Sequence, residues 1–364
     1  MFLSTLENTM SPNTHQNWPE VNAIEDVASG DPGLLRIPVD FGDGDGTVLS
    51  LFILRGSEDG PVFHLLAGQH GNELNGCAAL DAFIQQLDLS ELKGTVLAVP
   101  VANPVCVAEG RQYPEFDDGS QKNMNLLWPG RPDGTYIERL AWAIWENGLS
   151  DCDWCLDLHS WKRWQAPAAL FSRDGDALVP MGRASGLSVV RILDAFPLDK
   201  YVGYAPTIAR RLGHAIGYAI ELSGQQRVFP DQVELGCRAI QNLLKHAGML
   251  PGEPEIPRQV NIAEAREVEV RSPSDAVFLP LVMPGDEISE GRPFARLLRH
   301  DTGRPDLLTS PVDGVVFKLG PLDQIQEAMD SEAGTGRDRY DRDFSGPVRG
   351  NELVAVIYEW EGEP

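Results

Sequence analysis

Val62-Phe63-His64-Leu65-Leu66-Ala67-Gly68-Gln69-His70-Gly71-Asn72-Glu73 is a short, mostly apolar run that a glycine ends and polar residues follow. A strand covered on both faces reads this way, because neither face needs water-facing side chains. The next residues change period. Cys77, Leu80, Phe83, Ile84 and Leu87 recur every three or four positions, which puts them on one face of a helix.

Outward from this unit the alternation repeats. A strand is expected over residues 95–101, stopped by Asn103-Pro104. A helix is expected over 138–145, strands over 154–158 and 219–222, and a helix over 232–247. Strands alternating with helices predict an α/β domain whose sheet is mixed but largely parallel and flanked by helices. Residues 250–257 hold three prolines and a glycine, and read as a linker. Beyond it, short apolar runs at 276–281, 312–319 and 353–358 sit between turn residues, an all-β pattern. Residues 324–344 are polar and are expected to form a long surface loop. The chain thus divides into a loose N-terminal arm (1–20), a main domain (21–255) and a small C-terminal β domain (256–364).

The 364 residues carry 30 Lys+Arg against 54 Asp+Glu, a formal charge of −24. That excess argues against binding to nucleic acid or to an anionic membrane surface, both of which need cations. No apolar run is long enough to span a bilayer, and the first 20 residues lack the basic start and apolar stretch of a signal peptide. Five scattered cysteines do not make a disulfide framework. A cytoplasmic protein is expected.

Ligands of open α/β sheets bind beyond the carboxyl ends of the strands. There the chain carries Gln69-His70-Gly71-Asn72-Glu73, Asn103-Pro104, Asp157-Leu158-His159-Ser160 and Glu221-Leu222-Ser223-Gly224. Two imidazoles and a carboxylate are a common zinc set for hydrolysis. His70, Glu73 and His159 would supply it, and Glu221 would move the proton. Each piece alone has an ordinary reading: His-x-x-Glu as turn polars or a helix cap, a strand-end His as a hydrogen-bonded core residue. Pattern alone leaves both readings open.

The order of these motifs, with Arg111 and Asn123-Met124-Asn125-Leu126-Leu127-Trp128-Pro129-Gly130 between them, resembles the succinylglutamate desuccinylase/aspartoacylase family of zinc-dependent deacylases, relatives of the zinc carboxypeptidases. The resemblance runs from about residue 63 to 250. It implies a zinc-carboxypeptidase-like fold and one zinc ion per chain, held by His70, Glu73 and His159. It implies Glu221 as general base and acid, Arg111 steadying the carbonyl oxygen, and Asn125 helping to bind a substrate carboxylate. The substrate implied is a small N-acylated amino acid or related amine. A carboxypeptidase-like peptide hydrolase and a non-catalytic metal- or ligand-binding homologue are the alternatives, and a homo-oligomer is left open.

Three positions depart from the family pattern: Leu126 stands where the family has Arg, Asn123 where it has Asp, and Trp128 where it has Phe. An alkyl side chain cannot make the paired bonds of a guanidinium to a carboxylate. Either the substrate has no carboxylate there, or another arginine holds it: Arg163, Arg210, Arg211 and Arg227 flank the strand ends as candidates, with Arg163 taken as the substrate-binding one. The motifs around 272–278, 284–286 and 310–316 also resemble the family's small, barrel-sandwich-like β domain, without a carrier lysine.

Other features are set aside. Cys152-x-x-Cys155 lacks the second pair of a metal knuckle and reads as buried thiols. Residues 41–46 read as a hairpin turn rather than a calcium loop. Trp161 and Trp164 fit pocket lining or core packing equally well. His15, His64, His214, His246 and His300 are expected to be structural or exposed.

Overall fold

The computed structural model describes residues 18–42, 44–115, 121–173, 177–194, 215–299, 301–303, 305–331 and 345–360. In chain order the main part comprises β1 (Glu20–Val21), β2 (Pro32–Asp40), β3 (Gly46–Arg55), β4 (Glu58–Ala67), α1 (Leu74–Gln86), β5 (Lys93–Val99), α2 (Pro104–Glu109), α3 (Tyr136–Ile144), β6 (Trp154–Trp161), β7 (Ala168–Ser172), α4 (Leu178–Ala184), β8 (Val189–Leu193), β9 (Ile216–Ser223), α5 (Pro230–His246) and β10 (Val260–Asn261). The ten strands form one sheet in the order β1-β2-β3-β5-β4-β6-β9-β7-β8-β10. β5, β4, β6 and β9 run parallel at its centre, while β2–β3, β3–β5 and β7–β9 pair antiparallel. The sheet is mixed and largely parallel, as expected.

The decisive strand explains the layers. Phe63, Leu65 and Ala67 pack with Leu80, Phe83 and Ile84 of α1 and Ile240, Leu243 and Leu244 of α5. The alternate residue Leu66 packs on the other face with Leu97, Val99 and Ile137, Leu140 and Ile144 of α3. Successive side chains point to opposite faces, so a strand covered by helices on both sides must be apolar throughout. His64 is the exception inside the run. It is fully buried and neither ring nitrogen has a hydrogen-bond partner among the described residues. Burial pushes its pKa down to about 3, so it sits in the core as a neutral ring.

β2 and β3 form the expected hairpin, with Asp40 opposite Gly46; of the expected turn, residue 43 lies outside the described residues. Trp18 packs edge-on to Phe52. Glu20, also counted in the expected arm, instead pairs with Leu34 in the large sheet, and residues 1–17 lie outside the described residues.

After residues 250–257, which form no helix or strand, β10 adds to the edge of the large sheet. There follow β11 (Glu267–Arg271), β12 (Ala276–Pro280), β13 (Glu287–Ile288), β14 (Pro293–Leu298), β15 (Pro305–Thr309), β16 (Gly314–Leu319), α6 (Leu322–Ser331), β17 (Gly346–Val348) and β18 (Leu353–Glu359). The strands make two four-stranded antiparallel sheets, β11-β18-β16-β13 and β15-β14-β12-β17. Helix α6 corrects the loop expected over 324–344. Leu322 and Ile325 are buried against this core. The Asp323 carboxylate accepts from Leu353 N–H at 2.9 Å, and the Gln324 amide donates to Glu352 at 2.7 Å. Tertiary anchors one turn apart hold a segment whose overall polarity suggested a loop. Residues 332–344 lie outside the described residues.

Trp161 and Trp164 belong to packing. Trp161 donates its indole N–H to Ala166 O at 2.8 Å and meets Phe317 edge-on. Trp164 is buried in the core shared by the large sheet and the C-terminal sheets. Cys152 and Cys155 are buried free thiols. No helix among the described residues is long and apolar enough to cross a membrane.

Candidate metal centre and its surroundings

The parallel register of β4, β6 and β9 puts their carboxyl ends on one side of the sheet. Gly68 turns the chain off β4 in the left-handed region, φ +69°, which favours glycine. Gly71 lets the loop press on α2, because a Cβ there would collide with the Cys106 backbone. Asn103 secures the loop from the second strand end. Its Nδ2 donates to Gln69 O, while its Oδ1 accepts from Cys106 N–H and from the Tyr136 hydroxyl.

A tight turn then brings the His-x-x-Glu pair together, with Glu73 N–H donating to His70 O at 3.1 Å. His70 Nδ1 lies 2.9 Å from Glu73 Oε1, and His159 Nδ1 lies 3.0 Å from Glu73 Oε2. One ligand atom from each of these three buried residues lies within 4.8 Å of the others. Ser160 N–H also donates to Glu73 Oε2 at 3.0 Å. Glu221 pairs directly with His159 across β6 and β9. The structure therefore gathers four of the sequence-predicted residues at one place.

Both rings are held by their far nitrogens. His159 Nε2 lies 2.9 Å from Asp157 Oδ2, and His70 Nε2 lies 3.1 Å from Asn123 Oδ1. Asn123 Oδ1 also accepts from Asn125 N–H at 3.0 Å, which fixes it as the oxygen. Each ring thus turns Nδ1 toward Glu73. Such outer partners orient imidazoles that bind metals.

The electrostatics fit a cation. Burial works to raise Glu73, but His70 and His159 hold it well below the usual carboxylate range. Burial works to lower His159, but Asp157 and Glu73 hold it well above the usual imidazole range; Glu73 likewise raises His70. For Glu221, burial dominates and pushes the carboxyl up to about 8. Glu73 and Asp157 are buried with two imidazoles, beside the half-buried Glu221, where each unpaired charge costs several kcal/mol. A divalent cation among these donors would offset that cost, and two N donors plus a carboxylate suit zinc.

The other predicted residues are placed differently. Arg111 follows α2 and is half-exposed; its guanidinium pairs with Glu115 and, at 3.5 Å, with Glu109. Its loop does border the site, since Tyr113 meets His70 edge-on, 5.6 Å between ring centres. Asn125 is buried in the 3₁₀ turn Met124–Leu126, and its Oδ1 has no hydrogen-bond partner among the described residues. Leu126 beside it is exposed. Arg163 is engaged by Asp231 at 2.9 Å and by the face of Phe229 at 4.5 Å. Arg227 is exposed, and Arg210 and Arg211 lie outside the described residues.

Sequence reasoning missed Gln225. It donates to Ser160 O at 2.6 Å and reaches Glu73 Oε1 at 3.4 Å, while Lys162 Nζ donates to its Oε1. It also missed Gln69, which bridges Trp128 and Asp157. These partners lie 59 to 152 residues apart, so no local spacing announces them.

Comparison with known proteins bears on the family and the fold. Residues 59–247, more than half of the chain, match the succinylglutamate desuccinylase/aspartoacylase catalytic domain. The chain is 28% identical over 276 residues to the N-alpha-acetyl-L-2,4-diaminobutyric acid deacetylase of Halomonas elongata, covering 73% of this chain and 79% of the relative. Among solved structures it shares its fold with an aspartoacylase family protein of Mesorhizobium loti (TM-score 0.60, 22% identity, 96% and 100% of the two chains covered). It shares it also with the product-bound ectoine utilization protein EutE of Ruegeria pomeroyi (TM-score 0.58, 23% identity, 90% and 94% covered). The chain belongs to the succinylglutamate desuccinylase/aspartoacylase family.

Proposed function

We propose that this protein is a zinc-dependent hydrolase that cleaves the amide bond of a small N-acylated amino acid or related amine. The observation that carries the reading is the convergence of His70, Glu73 and His159 within 4.8 Å, with Glu221 opposite His159. The likeness to a deacetylase of N-alpha-acetyl-L-2,4-diaminobutyric acid supports a short acyl group on a small amino acid.

Residues 21–255 would form the deacylase domain, and 256–364 a β domain that limits access to its mouth. His70, Glu73 and His159 would hold one zinc ion per chain. Zinc bound there supplies Lewis-acid polarisation of the scissile carbonyl and a water of lowered pKa. Glu221, ionised, takes the proton of the attacking water and passes it to the leaving nitrogen. Arg111 leaves Glu115 to steady the oxygen on which negative charge develops. Asn125, whose buried Oδ1 awaits a donor, orients the substrate, and Arg163 adds positive potential from its place beside Asp231.

A panel of N-acetyl, N-succinyl and N-formyl amino acids, run beside short peptides, tests the reading. Turnover of one or more N-acyl amino acids is expected. Peptide hydrolysis without N-acyl turnover would favour a carboxypeptidase-like enzyme, and zinc binding without hydrolysis a binding protein.

A further inference from the structure

Four buried groups form a chain behind the candidate metal centre. The Trp128 indole N–H donates to Gln69 Oε1 at 2.9 Å. The Gln69 amide donates to Asp157 Oδ2, which also lies 2.9 Å from His159 Nε2. Gln69, Asp157, Trp128 and His159 are each at most 5% exposed, so water does not readily replace a missing link.

The chain has a direction. An indole N–H can only donate, so the Gln69 atom facing it is the oxygen and the amide NH₂ faces Asp157. Asp157 Oδ2 then accepts from both sides, and the proton of His159 sits on Nε2. A neutral imidazole carries one N–H, which leaves the lone pair on Nδ1, toward Glu73 and His70. That is the tautomer a metal bound between these residues requires.

We propose that Trp128 and Gln69 are positioning residues, which fix the tautomer and aim of His159 for metal binding through Asp157. The proposal rests on the reading of His159 as a metal ligand. Trp128 stands where the resemblance places a Phe, a ring of similar use in packing with no N–H to give. Without the indole donor, the buried Gln69 oxygen loses its partner and the orientation of the amide rests on Asp157 alone. Once turned over, the amide sets its oxygen against the Asp157 carboxylate, and His159 loses its fixed partner.

The test is the zinc affinity of the full chain, measured by competition with a chromophoric chelator, for wild type, Trp128→Phe, Gln69→Leu and the double variant. Nitrogen-edited NMR of histidine-labelled protein reads the His159 tautomer in the zinc-free and zinc-bound forms. Trp128→Phe is expected to weaken zinc binding about tenfold and Gln69→Leu by about 10- to 100-fold, the range for lost outer-sphere partners. The double variant is expected to match Gln69→Leu, because both changes break one chain in series. In zinc-free protein, above the pH at which His159 gives up its extra proton, the Nε2–H form should dominate in wild type and give way to a mixture in Trp128→Phe. Wild-type affinity and an unchanged tautomer in Trp128→Phe would overturn the proposal, as would simple additivity in the double variant. Should Gln69→Leu fail to fold, Trp128→Phe, which keeps the aromatic ring, decides alone. Wild-type protein that binds no zinc would overturn the metal reading itself, a result distinct from tight wild-type binding that the variants leave unchanged.

Discussion

His159 on β6 and Glu221 on β9 are direct partners across two parallel strands. Neighbouring strands lie about 4.8 Å apart, so the backbone ladder itself sets the spacing between a candidate metal ligand and the candidate proton carrier. Asn75 holds the same end of β9 from α1, donating to Gly224 O at 2.7 Å and accepting from Phe229 N–H at 2.8 Å. Burial strengthens the hold of the Glu221 carboxyl on a proton.

Replacing Glu221 by Gln keeps the shape and removes the base. The expected result is a loss of about 10²- to 10⁴-fold in kcat, the usual worth of general acid–base catalysis. Zinc stoichiometry should be unchanged. Steady-state kinetics and metal analysis on one preparation check both; activity within a few-fold of wild type would remove Glu221 from the mechanism.

The site makes stability depend on pH once metal is stripped. Glu221 is raised by burial to about 8, against 4.5 in an unfolded chain, and His159 is raised above 6.5 by Asp157 and Glu73 against the opposing effect of burial. For both groups the folded state binds the proton more tightly. Their stabilisation is present at low pH and lost as pH rises through the folded values. Chelated protein should therefore melt at a lower temperature at pH 9 than at pH 6. Added zinc, which favours the deprotonated donors, should stabilise most at the higher pH. Melting curves with and without zinc at the two pH values read this directly, and a chelated protein more stable at pH 9 would contradict it.

Much of this was legible in the sequence. The apolar run at 62–67 announced a central strand, and strand ends carrying His70, Glu73, His159 and Glu221 announced a site, because a parallel sheet must bring such ends to one side. The partners that aim those residues were not legible. Trp128 meets Gln69 from 59 residues away and Gln225 meets Glu73 from 152, contacts that only the folded chain creates. Helix α6 was hidden for a related reason: Leu322 and Ile325 find their apolar partners in distant strands, not in their own polar segment.

Leu126 is exposed beside the buried Asn125. Leu126→Arg should lower KM for an N-acyl amino acid with a free carboxylate about three- to tenfold, the scale of one charge-assisted bond weakened by solvent. KM for an uncharged amide analogue should not move. An unchanged or higher KM for the anion would mean that the substrate carboxylate is held elsewhere or is absent.

Arg111 is tied to Glu115 and Glu109. If it turns to the substrate during the reaction, Arg111→Ala should lower kcat about 10²-fold, as removal of an oxyanion partner does. Glu115→Gln, which releases the guanidinium, should leave kcat intact or raise it. Equal losses in both variants would assign the pair to holding the loop rather than to the chemistry.

The central claim is that His70, Glu73 and His159 hold the metal on which amide hydrolysis depends. Metal analysis joined to activity after chelation tests it most directly. One zinc per chain, activity lost on dialysis against a chelator and regained with about one equivalent of zinc, is the predicted result. Full N-acyl amino acid hydrolysis by metal-free protein would contradict it.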